Sequence, residues 1–137
     1  MALVETLTNI ELFSELTNRE LKKVASFMTP VSVRAGRHLT EQGKPGREFM
    51  IIVEGTASVR RDGRVIATLG AGDFFGELAV IAGVPRTATV TADTDMTVQA
   101  LNRREFSSLL DGSPKLAKKI LVGAVKRLHQ LEEGIVR

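Results

Sequence analysis

The sequence predicts an α+β fold: an antiparallel β-roll, or jelly roll, flanked by N-terminal helices and closed by a C-terminal helical lid. Three observations carry this expectation. Short runs rich in Val, Ile, Thr and Phe, separated by glycine-bearing turns, fill the middle of the chain. Apolar residues at helical spacing occupy both ends. A short helix-forming piece at 77–82, stopped by Gly83, interrupts the strands, and a helix that short is rarely placed for stability alone.

The 137 residues suit one domain able to bury a core without metal or disulfide. Residues 1–30 read as a helical lead-in. Within them Leu16, Leu21, Val24, Ala25 and Met28 fall at near-helical spacing, Thr17 and Glu20 form a capping box, and Pro30 marks the end. Residues 31–102 read as the β-roll, with strands at 31–33, 38–41, 48–53, 57–61, 64–69, 88–91 and 97–101. Asp62–Gly63 is a hairpin turn signal. Ala35-Gly36-Arg37-His38-Leu39 is echoed by Ala71-Gly72-Asp73-Phe74-Phe75, as two Greek-key halves would allow. Residues 103–137 turn helical again, with a break at Gly112-Ser113-Pro114, where Ser113 is an N-cap and Pro114 the first helical residue. Leu116, Ile120, Ala124, Leu128, Leu131 and Ile135 then form one stripe, Leu121 and Val125 widen it, and Val122 lies to the other side.

Composition excludes several kinds of chemistry. Without cysteine there are no disulfides, thiolate nucleophiles or cysteine-ligated metals. No run reaches the ~18 apolar residues of a spanning helix, and no signal peptide or lipidation motif opens the chain, so a cytoplasmic location is expected. Net charge is +3; the stretch from Arg103 onward carries +4 and the first 102 residues −1. That basic end could touch nucleic acid or acidic lipid; being small and without interleaved aromatics, it reads first as a solvated helix face. His38 and His129 stand in different blocks, which disfavours a metal-dependent cupin-type enzyme. No Ser/His/Asp arrangement is evident. The expected protein has no cofactor and is not an enzyme.

The chemistry concentrates in residues 75–90. Gly76 lets a ligand approach the backbone. The N–H groups of Glu77, Leu78 and Ala79 open a short helix and face outward without intrahelical partners, which suits an anion. Arg86 offers a guanidinium fork for two phosphate oxygens, and Thr87 a hydroxyl. Glu77, acceptor-only when ionised, suits a sugar hydroxyl.

Residues 75–90 resemble the phosphate-binding cassette of the cyclic nucleotide-binding domain family, which occurs in cyclic-AMP-dependent kinase regulatory subunits, catabolite-activator-like regulators and cyclic-nucleotide-gated channels. Ile10-Glu11-Leu12-Phe13 with Leu16 resembles the family's N-terminal helical motif. Gly43, Phe49, Ile51, Val53, Gly55, Val59, Leu69, Gly72, Phe74 and Phe75 match its β-roll. The resemblance implies that Arg86 binds the cyclic phosphate and Glu77 the ribose 2′-hydroxyl. Phe75, Gly76, Leu78, Ala79, Thr87 and Ala88 would complete the ligand contacts. Thr87 would also tolerate cyclic GMP beside cyclic AMP. A lid over the base would come from Leu121, Val125, Lys126 and Leu128, with Arg127 also within reach.

Since the chain stops at Arg137, no DNA-reading domain is expected, and its downstream protein partner is not specified. The last helix is apolar enough to pair with a second copy. Two other readings stand beside the sensor: a diverged interaction domain that kept the fold and lost the ligand, and a regulatory fragment of a larger transcription regulator, kinase or channel.

Overall fold

A computed structural model of the chain describes residues 2–77, 80 and 83–136, excepting the side chains of residues 2, 127, 128 and 130–136. Two helices and a 3-10 turn lead in: α1 (Ala2–Thr8), the turn Glu11–Phe13, and α2 (Asn18–Ser26). Among the described residues eight strands follow: β1 (Thr29–Val33), β2 (His38–Thr40), β3 (Glu48–Glu54), β4 (Ala57–Arg61), β5 (Arg64–Leu69), β6 (Phe74–Phe75), β7 (Thr89–Ala92) and β8 (Met96–Asn102). Two helices close the chain, α3 (Arg103–Gly112) and α4 (Pro114–Val136). The strands form two antiparallel four-stranded sheets, ordered β1-β8-β3-β6 and β2-β7-β4-β5. This is the expected β-roll between helices.

The local chemistry sets most boundaries. Thr17 accepts from the Glu20 N–H at 3.2 Å and the Glu20 carboxylate accepts from the Thr17 N–H at 3.0 Å, so the capping box forms and α2 begins after it. Leu16 and Met28 therefore lie outside α2, although both belong to the core under it. Pro30 does not follow a helix directly. It sits within β1, an edge strand paired only with β8, where a missing N–H is tolerated. Asp62 and Gly63 adopt φ of 53° and 79°, the left-handed pair that a tight hairpin requires. Ser113 caps α4, its hydroxyl accepting from the Leu116 N–H at 3.3 Å, with Pro114 first in the helix.

The echo between 35–39 and 71–75 is structural. The N–H of Gly36 donates to the Ala92 carbonyl at 2.7 Å, and the Ala92 N–H donates back to Arg37 at 2.9 Å. The N–H of Gly72 donates to the Ile52 carbonyl at 2.8 Å, and the Ile52 N–H donates back to Asp73 at 2.8 Å. Each turn thus clips the start of a short edge strand, β2 in one sheet and β6 in the other.

β3 explains where the core sits. Its side chains alternate between two buried faces: Phe49 and Ile51 pack under the helices, Met50 and Ile52 inside the roll. A strand buried on both faces must be apolar throughout, as the run from Phe49 to Val53 is. Phe74 and Phe75 divide the same way. Phe74 meets Phe49 at a ring distance of 5.5 Å on the helix side, whereas Phe75 enters the roll.

α4 docks through Leu116, Ile120 and Ala124, all buried, while Leu121, Val122 and Val125 are exposed. Gly123 lies against Phe74: a Cβ there would stand 2.6 Å from the Phe74 ring. Lys119 fastens the helix to the 3-10 turn by donating to the Glu11 carbonyl at 3.0 Å and to Ser14 Oγ at 2.8 Å. Alanine at 123 would gain helix propensity of about 1 kcal/mol but overpack the contact at a cost of roughly 1–3 kcal/mol. Gly123→Ala is expected to lower the midpoint of urea unfolding, and adding Phe74→Leu to recover part of the loss, a non-additivity read from a double-mutant cycle.

Candidate functional site

Two charged side chains are taken out of water together. Glu77 is fully buried and Arg86 is 8% exposed. Burying ions is costly unless they are hydrogen-bonded and compensated, so their surroundings matter. Arg86 Nη2 donates to the Glu48 carbonyl at 2.8 Å and Nη1 to the Gly76 carbonyl at 3.3 Å. Burial pushes the guanidinium below its ordinary pKa, while the Glu48 and Glu77 carboxylates act in the opposite direction. Two carbonyls occupy only part of a five-donor fork. Among the described residues no other acceptor meets it.

The backbone holds Arg86 as firmly as the side-chain contacts do. Its N–H donates to the Lys44 carbonyl at 2.8 Å, and its carbonyl accepts from the Gly43 N–H at 2.9 Å. A little further on, the buried Thr40 hydroxyl donates to the Ala88 carbonyl at 3.0 Å and accepts from the Val90 N–H at 3.1 Å. Gln42 joins in, its N–H donating to Thr89 Oγ1 at 3.0 Å and its side chain exchanging bonds with Asp62 at 2.9 and 2.8 Å. The loop from Thr40 to Lys44 is thus a splint for residues 86–90. No sequence motif marked Thr40 or Gln42.

Gly76 has φ of 92°, and a Cβ on it would stand 2.5 Å from Arg86 Nη1 and 2.6 Å from the Glu48 carbonyl oxygen. Glycine is required here both by the backbone conformation and by the approach of the guanidinium. The Gly76 carbonyl also accepts from the Val80 N–H at 3.3 Å.

The structure brings together Phe75, Gly76, Glu77, Arg86, Thr87 and Ala88. Phe75 and Ala88 are buried and Thr87 is half-buried. The backbone and side chains of Leu78 and Ala79 lie outside the described residues, as does the side chain of Leu128. Leu121, Val125 and Lys126 are on the exposed side of α4 and are not packed into the core. Among the described residues no helix is long and apolar enough to cross a membrane.

A model of the cyclic nucleotide-binding domain matches residues 30–113. The chain is 36% identical over 118 residues to a cyclic nucleotide-gated potassium channel of Rhizobium etli, covering 86% of this chain and 33% of the channel. It is 37% identical over 106 residues to a cAMP-dependent protein kinase regulatory subunit of Yarrowia lipolytica, covering 76% of this chain and 28% of that protein. Among solved structures, PKAR CBD2 with Sp-2Cl-cAMPS bound superposes with a TM-score of 0.83 at 29% identity, covering 96% of this chain and 90% of that one. The chain spans about a third of the length of the curated relatives it matches.

Gly76→Ala tests the packing directly. Strain at a positive φ and the clash with Arg86 together are expected to cost roughly 1–3 kcal/mol, seen as a lower thermal midpoint. The Arg86 resonances of the variant, read by NMR, are expected to shift with it.

Proposed function

Because the chain belongs to the cyclic nucleotide-binding domain family, we propose that it senses a cyclic nucleotide through residues 75–88. The carrying observation is the buried pair: Arg86 held by two carbonyls, with the fully buried Glu77 close enough to act on its charge. In this reading Arg86 turns its remaining donors to the cyclic phosphate. Glu77 accepts from the ribose 2′-hydroxyl. The backbone at Gly76, Leu78 and Ala79 approaches the phosphate and sugar, Thr87 adds its hydroxyl, and Phe75 and Ala88 line the apolar side.

Cyclic AMP and cyclic GMP differ at the base, where Thr87 and α4 would act. Leu121, Val125, Lys126 and Leu128 would form the lid. The exposure of Leu121 and Val125 supports this assignment, because side chains already committed to the core could not move onto a ligand. Ligand would favour a closed α4 only through contacts that the open arrangement lacks. The movement of α4 would be the signal, and the domain itself would carry out no chemistry.

What reads the signal is a partner. The share of the relatives that the chain spans supports a regulatory part of a larger channel or kinase assembly. A second copy pairing through the Leu121–Val122–Val125 face is the other reading of α4, and size-exclusion chromatography with and without ligand separates the two. A cytoplasmic setting accords with both.

Isothermal titration of nucleotide-free protein with cyclic AMP and cyclic GMP is expected to give saturable binding with at least one of them. Heat from neither would leave only a diverged interaction domain. Arg86→Ala is expected to lose roughly 2–4 kcal/mol of binding, the scale for stripping a partner from a buried charge. Arg86→Lys, which keeps the charge and loses the fork, is expected to lose much of the same. Unchanged affinity in both would place the phosphate elsewhere.

A further inference from the structure

Beside the ligand contacts assigned above, and sharing the middle of the cassette segment with them, a cavity of about 580 Å³ opens between the loop at 45–47, the stretch at 83–85 and the start of α3. That volume is within the range of small-molecule sites, about 300–1,000 Å³. Arg47, Arg103 and Arg104 line it, and Val80, Val84 and Pro85 give it an apolar wall. Val84 is 42% exposed. None of the three guanidinium groups has an ion-pair or hydrogen-bond partner among the described residues.

The placement of these arginines works against local stability. Arg103 and Arg104 are the first two residues of α3, where the helix dipole is positive and cations are disfavoured. The acidic residue of that first turn, Glu105, is occupied in the cap, accepting from the Asn102 N–H at 2.9 Å. Arg103 also leans toward the cassette, its Nη2 lying 3.4 Å from where a Cβ on Gly83 would be. Positive charge converges on one hollow from a loop and a helix start, with no carboxylate paired to it among the described residues.

We propose that this cavity binds a phosphate monoester carrying a flat or apolar group. The guanidinium forks match the geometry of a phosphate dianion, and Val80, Val84 and Pro85 would cover the organic part. The site is physically continuous with the cassette. Residues 83–85 run directly into Arg86, and Pro45–Arg47 follow Lys44, whose carbonyl holds the Arg86 N–H. Occupancy would therefore alter how cyclic nucleotide binds, and by linkage the reverse.

Phenyl phosphate titrated into the wild-type chain and followed by amide NMR tests the proposal. Saturable shifts are expected at Gly46, Gly83 and Asn102, weakened about tenfold or more in Arg103→Ala/Arg104→Ala. Those two side chains are exposed, so the variant is expected to fold; its far-UV circular dichroism checks that. The shifts are expected to persist in excess cyclic AMP. The titration reads out whether or not cyclic AMP itself binds, so the two readings fail separately. Absence of saturation at millimolar phenyl phosphate would overturn the proposal. So would equal shifts in the double variant, or loss of all shifts on adding cyclic AMP, which would place the probe in the cassette. Binding of an acidic peptide without binding of phenyl phosphate would overturn it in favour of a protein partner.

Discussion

The organisation of the molecule around its site follows from one constraint, the burial of Arg86. A guanidinium cannot be moved out of water without acceptors, and the fold supplies two backbone carbonyls from separate segments, Glu48 at the start of β3 and Gly76 after β6. That arrangement requires β3 and β6 to be neighbours, which they are. It requires no side chain at position 76. It also requires the chain around Arg86 to be held from the other side, which the Gly43 and Lys44 backbone does. The charge is positioned by main-chain groups, whose geometry is set by the sheets. A side-chain partner could swing away; the Glu48 carbonyl, in a strand, cannot do so without breaking the ladder.

The two-sided burial of β3 and β8 joins this site to the rest of the molecule. Met50, Ile52, Val98 and Ala100 fill the roll beneath the cassette, while Phe49, Ile51 and Leu101 support the helices on the opposite face. Phe49 sits at the junction, with its ring 4.6 Å from Phe106 of α3 and 5.5 Å from Phe74. Phe74 in turn carries Gly123 of α4. One aromatic column thus connects the strand that enters the cassette with both C-terminal helices. Close-packed side chains of this kind transmit displacement because they have little room to absorb it.

Much of the fold was legible because its signals are local. The β3 run, the Asp62–Gly63 turn and the Thr17 and Ser113 caps each depend on a few adjacent residues, and each appears where the spacing placed it. β6 was not legible, because two residues show no periodicity and Phe74–Phe75 is a strand only by virtue of pairing with Ile51 and Met50. The membership of Leu16 and Met28 in α2 was misread for a related reason: both are apolar and both are packed in the same core, but from the flanks of the helix. At the site, Glu77 and Arg86 were marked by their types and spacing. The carbonyls that hold Arg86 were not, since backbone partners leave no trace in residue identity. The roles of Thr40 and Gln42 were hidden likewise, being set by contacts to residues more than forty positions away.

The paired turns at Gly36 and Gly72 have a mechanical corollary. The Gly72 turn ties the entrance of the cassette to Ile52 in β3, and the Gly43–Lys44 backbone ties Arg86 at its exit. Gly72 and Arg86 are thereby pinned by main-chain bonds to residues outside the segment that joins them, so the separation of its two ends is set by β3 and by the Gly43–Lys44 loop.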